Sequence, residues 1–237
     1  SAMAFGTTSR AEGVSSVAIG GGRGQFGTGA RATADDAIAI GAASQASGQN
    51  SVAIGGADTT ANGAKASEAR ATALGFGSTA SAADAIAIGD ATAGAADAIA
   101  MGRTAQATGV MSIAIGYDAI ATGSIAMGAS SRAGNGGAAF GDGANATYNG
   151  GVIDPAIVAG AALGQNAIAD VSGATALGTN SSVTTINGVA LGSGSVANTA
   201  AGAAGYDPLT GAPSTDTSAT WVSTLGAVSV GSAGNTR

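Results

Sequence analysis

The 14 Asp and Glu residues hold most of the catalytic chemistry open to this chain, because it has no histidine and no cysteine. Losing histidine removes Ser-His-Asp and Cys-His catalysis and the usual zinc ligand sets. Losing cysteine removes disulfides and thiol chemistry. A pair of carboxylates could still hydrolyse a glycosidic bond. Asp35 and Asp36 are the sole adjacent pair, but neighbours in a strand face opposite ways. Asp36, Asp84 and Asp97 each stand just before an apolar phrase, which marks them as turn residues. No aspartate-rich calcium loop occurs. Gly22, Gly24 and Gly27 satisfy G-x-G-x-x-G, yet no helix pattern follows to hold a phosphate, and chance matches are common among 42 glycines. These residues assign no catalytic, cofactor or metal site, and the chain is expected not to be an enzyme.

What positions every residue is a repeat. Between Asp84 and Gly116 the phrase apolar-Ala-apolar-Gly occurs as Ile86–Gly89, Ile99–Gly102 and Ile113–Gly116. Its closing glycine recurs at Gly6, Gly20, Gly41, Gly55, Gly75, Gly89, Gly102, Gly116, Gly128, Gly141, Gly164, Gly178 and Gly192, most often 14 residues apart. Fixed-period self-similarity signals a solenoid. Three intervals are longer, which places insertions after Gly20, after Gly55 and around 148–155. These are loops, read as tolerated insertions or as exposed contact sites.

Fourteen residues accommodate two short strands and two turns rather than a helix. In the second strand small and polar residues alternate, as in Ser44-Gln45-Ala46, which gives an inner and an outer face. The first strand lacks a polar face: Val52 and Ile54 share one side, Ser51 and Ala53 the other. Such a strand is expected to be covered on both sides. Its own coil supplies one cover and another chain must supply the second. On side-chain size, the branched residues rather than the alanines should carry most of the stability.

Composition agrees. Apolar residues make up 45% but aromatics only 3%, which excludes a thick globular core, while the strict phase of Val and Ile excludes disorder. No apolar run is long enough for a membrane-spanning helix. Eight Lys and Arg are scattered and the net charge is −6, which disfavours nucleic acid and anionic membrane as partners. After Gly192 the phrase stops. Tyr206, Pro208, Pro213 and Trp221 mark a different local structure, with Trp221 as its core, and Val228–Gly231 restores a strand phrase.

The phrase Ser-Val-Ala-Ile-Gly at 16–20 and 51–55, followed by G-x-x-S-x-A-x-G, resembles the head repeat of YadA-like trimeric autotransporter adhesins. The resemblance covers about residues 4–198. The ending from Thr220 to Gly231, with Asn235-Thr236-Arg237, resembles the head insertion motif that leads to the neck in that family. Residues 1–3 read as an expression scar, 4–198 as head repeats and 199–237 as insertion motif and last strand. The resemblance implies a left-handed parallel β-roll, trimerised about its long axis. It further implies the head of a Gram-negative surface adhesin whose stalk and outer-membrane barrel lie beyond this fragment, so the fragment itself makes no membrane contact. Family heads bind host extracellular-matrix proteins or cell-surface receptors, or mediate autoaggregation. No residue motif carries a particular receptor across. The alternatives are a structural β-solenoid fibre of a surface layer or phage and, less well supported, a β-helix carbohydrate-active enzyme.

Overall fold

A computed structural model describes residues 1–22, 28–58, 62–146 and 158–232. These residues contain strands and turns and no α-helix. The chain makes about 13 turns of parallel β-solenoid, divided between two compact units, 1–130 and 131–237.

In the first unit each coil contributes a three-residue strand and a two-residue strand to separate parallel sheets. The long-strand sheet runs from Met3–Phe5 through Val17–Ile19, Ile38–Ile40 and onward to Ile125–Met127. The short-strand sheet runs from Arg10–Ala11 to Ile120–Ala121. Equivalent residues pair in register: Ile86 with Ile99, Ala87 with Ala100 and Ile88 with Met101. The corners are laddered too, as in Asp36 N–H to Val14 O at 2.8 Å and Asn50 N–H to Asp35 O at 3.0 Å.

Register explains the uneven period. Arg10 pairs with Arg31, 21 residues on, and Gln45 with Lys65, 20 on. Thr79 pairs with Thr92, 13 on, and Ile113 with Ile125, 12 on. The strands described above keep their register whatever the interval between them, because a one-residue slip would turn each inner side chain outward. The insertions lie largely outside the described residues, at 23–27, 59–61 and 147–157; so do Gly24 and Gly27 of the glycine motif.

The coil interior is lined by four small residues. In one coil they are Ser44, Ala46, Ser51 and Ala53; in the next, Ala64, Ala66, Ala71 and Ala73, all fully buried. Two of these positions accept Ser because its hydroxyl can turn back on the corner: Ser44 Oγ donates to Gly41 O at 2.7 Å and Ser112 Oγ to Gly109 O at 2.6 Å. These two buried hydroxyls are thereby satisfied without a partner from outside the coil, whereas the equally buried Ser51 Oγ finds no hydrogen-bond partner among the described residues.

The branched residues expected to carry most of the stability lie outside this interior. Val52 and Ile54 point outward, and Val183 is the largest fully buried side chain among the described residues. Two sheets this close leave room for a methyl group and not for an isobutyl group. Within one chain the alanines and serines are the core.

The second unit repeats the plan. Its long strands are Ala138–Phe140, Ala161–Leu163, Thr175–Leu177, Val189–Leu191 and Val228–Ser229, and its short strands run from Arg132–Ala133 to Val196–Ala197. Between Ala197 and Val228 the chain leaves the coil. Tyr206–Asp207 pairs antiparallel with Ala212–Pro213, and Ala204 bridges to Val222. The Asp207 carboxylate accepts the Leu209 N–H at 2.9 Å, an Asx turn that opens the Pro208–Gly211 reversal. Trp221 is half-buried beside Gly205, whose N–H meets its carbonyl at 2.5 Å. Val228 then pairs with Val189 and re-enters the ladder.

Candidate functional site: an uncovered apolar ribbon

The long strands have an inner Ala at their middle position and two outward side chains at the first and third. Stacked in register, these form two parallel columns. In the first unit one column reads Val17, Ile38, Val52, Thr72, Ile86, Ile99, Ile113, Ile125 and the other Ile19, Ile40, Ile54, Leu74, Ile88, Met101, Ile115, Met127. The second unit carries Ala138, Ala161, Thr175, Val189 beside Phe140, Leu163, Leu177, Leu191. Each side chain is flanked above and below by its ladder neighbours and uncovered on the remaining side. Ile54 is 39% exposed and Leu163 49%. No charged residue occurs in either column.

The outer face of the short-strand sheet differs. In the first unit it reads Arg10, Arg31, Gln45, Lys65, Thr79, Thr92, Gln106, Ile120. This is the polar face that the alternation in the second strand implied.

The corners account for the aspartates. Asp36, Asp84 and Asp97 have φ of 56°, 58° and 57°, in the left-handed region that Asp and Asn tolerate best after glycine. Asp35 does not pair with Asp36: its Oδ1 accepts the Val14 N–H at 2.7 Å, tying one coil to the next. Asp84 receives both arms of the Arg70 guanidinium, at 2.6 Å each. That hydrogen bonding holds the Asp84 carboxyl below its ordinary pKa and raises Arg70. The Ser218 backbone N–H likewise holds the Asp216 carboxyl down. A depressed folded-state pKa contributes stability at neutral pH that disappears as pH falls through it. Asp84→Asn should therefore lower the melting temperature slightly at pH 7, less at high salt because the pair is exposed. Below the usual carboxylate range the variant and parent should melt together; a difference that persists at that pH would refute this assignment.

No cluster of three metal-ligating side chains occurs among the described residues. The coils of the first unit thus present a polar short-strand sheet, laddered corners and an apolar long-strand ribbon.

The sequence matches the YadA head domain repeat over residues 1–22, 26–44, 32–57, 66–92, 93–119, 160–181 and 172–195, more than half of the chain. The chain belongs to that family. Membership makes it part of a bacterial cell-surface adhesin and points to a non-enzymatic, adhesive or structural role. No curated protein matches it.

The sequence foresaw the ribbon as apolar on both faces and left open which face turned in. The signal that settles it is the middle position: Ala occupies it from Ala4 to Ala190 without exception, and Ser229 follows in the last strand. A position that never carries a larger residue is where space is shortest.

Proposed function

We propose that three copies of this chain assemble with their long-strand ribbons turned to a common axis and form the head of an outer-membrane-anchored adhesin. In this reading residues 4–198 are the roll and 199–237 the insertion motif before the neck. The polar sheet and the corners face outward, where they meet host matrix or cell-surface components or other heads on neighbouring cells. The observation that carries the reading is the uncharged, in-register ribbon in a chain of this family. Nine strands about 4.8 Å apart give the first unit an apolar strip about 40 Å long and about 10 Å wide. That is on the order of 400 Å², within the range of the largest patches monomers expose and commonly an interaction site. A surface that repeats every 4.8 Å along its length is matched throughout by another surface of the same repeat, which a second copy supplies.

Sedimentation equilibrium tests the assembly: a particle of three times 21.7 kDa is expected, and a 21.7 kDa monomer would refute it. Binding of that particle to an array of immobilised matrix proteins and glycans, beside a self-aggregation assay, tests the adhesive role. Silence in both would leave a fibre without adhesive function.

A further inference from the structure

The first-position column varies in bulk from Ala to Ile or Met, while the third-position column keeps a side chain of about Ile, Leu or Met size except at Phe5, beside Met3, and at Phe140, beside Ala138. From Val17 to Leu191, wherever the third position carries Leu or Phe, the first carries Thr, Val or Ala: Thr72 with Leu74, Ala138 with Phe140, Ala161 with Leu163, Thr175 with Leu177, Val189 with Leu191. Wherever the first carries Ile, the third carries Ile or Met. The extreme pair leaves a visible gap. Ala138, Phe140, Ala161, Ala162 and Leu163 line an open apolar notch of about 310 Å³ on the ribbon of the second unit. Phe140 borders this notch without filling it, so the small first-position residues are not compensated inside their own chain.

We infer that the two columns meet between chains: the third-position side chain of one copy seats against the first-position side chain of the next. At the notch this puts Phe140 of one copy between Ala138 and Ala161 of its neighbour. A ribbon of two columns facing a three-fold axis has this contact as its natural closure, since each chain offers one column to each neighbour. The interface is then heterologous and closes as a ring. A contact between like columns would pair Phe140 with Phe140 and Ala138 with Ala138, crowding one side and leaving the other empty, and both are destabilising. The inference rests on the assembly proposed above and adds its pairing rule.

The natural absence of cysteine gives a clean test. Ala138→Cys and Phe140→Cys are placed in one chain. Their Cβ atoms, two residues apart on one strand face, are separated by about 6.6 Å, beyond the 3.5–4.5 Å a disulfide spans. Bridging must therefore occur between chains. Oxidation should trap most of the protein as a covalent three-chain species on non-reducing electrophoresis, while either single variant, whose cysteine faces no second cysteine, should run as a single chain. The pair one coil on, Ala161→Cys with Leu163→Cys, reads the same contact and leaves Phe140 in place. If sedimentation shows three chains but neither double variant yields more covalent trimer than its singles, the pairing rule is wrong and the assembly stands. If the unaltered protein is a monomer, both fall.

Discussion

Replacing Ile99 by Asp should convert the proposed three-chain particle to single chains. Ile99 sits mid-ribbon, stacked between Ile86 and Ile113, with its side chain outside the coil. In an assembly about the ribbon, each such carboxylate would be buried in an uncharged seam without a cation. Each loses its water, at an effective cost of several kcal/mol per ion. The coil itself has little to lose, because its interior at this level is Ala98, Ala100, Ala105 and Ala107. Sedimentation should report monomer, while far-UV circular dichroism retains its β signal. Gln106→Asp in the same coil, on the polar sheet, should leave the mass unchanged. Ile99→Thr, a side chain that the ribbon already carries at Thr72 and Thr175, should keep three chains and lower only their melting temperature. A trimeric Ile99→Asp protein would remove the long-strand sheet as the interface.

The second large effect concerns the corners. Gly102 has a φ of 122°, and a Cβ built on it would lie 2.7 Å from the Gly116 carbonyl oxygen of the next coil. Gly102→Ala therefore carries two penalties. The backbone conformation costs roughly 1–2 kcal/mol for a residue with a Cβ. The clash then pushes apart two coils that the Gly116 N–H to Met101 O bond holds at 2.9 Å. A total loss of about 3 kcal/mol or more is expected, in the range of severe single substitutions. Gly123 separates the two causes: its φ is 128°, but nothing lies within 4 Å of its Cβ position. Gly123→Ala should lose only the conformational part, about 1–2 kcal/mol. Urea titrations of the two variants under identical conditions measure the difference. Equal losses would mean that glycine stacking between coils contributes nothing.

The period was readable from the glycines, and so was the number of strands per coil, because both are local consequences of turn chemistry. The role of Asp36, Asp84 and Asp97 was readable for the same reason: a residue type recurring at a corner reports the corner. The position three after the glycine was readable as small, and the structure adds why Ser serves as well as Ala there. That the coil is narrow was readable from the dominance of alanine and glycine. What could not be read was which face of the first strand turns in: hydrophobicity ranks Ile above Ala, but space decides, and space depends on the distance between two sheets that no single strand records. The uneven spacing was likewise ambiguous, since 20- and 12-residue intervals could have meant broken coils; pairing of Lys65 with Gln45 and of Ile125 with Ile113 keeps the ladder in register across them. The receptor-facing chemistry is illegible for a different reason. The outward residues of the short strands, from Arg31 to Thr92 to Gln106, follow no period, because the fold asks nothing of them beyond solubility.

Each rung of the ladder hydrogen-bonds to the rung before it and the rung after, always through equivalent atoms. Copying or excising one whole unit of the underlying message would therefore leave every surviving contact as it was, provided the cut fell at matching places in two corners. Length in such a protein is a heritable quantity that can change in a single recombination event and still yield a foldable chain. The number of coils can thus change quickly under selection, while the residues that hold one coil to the next stay constrained.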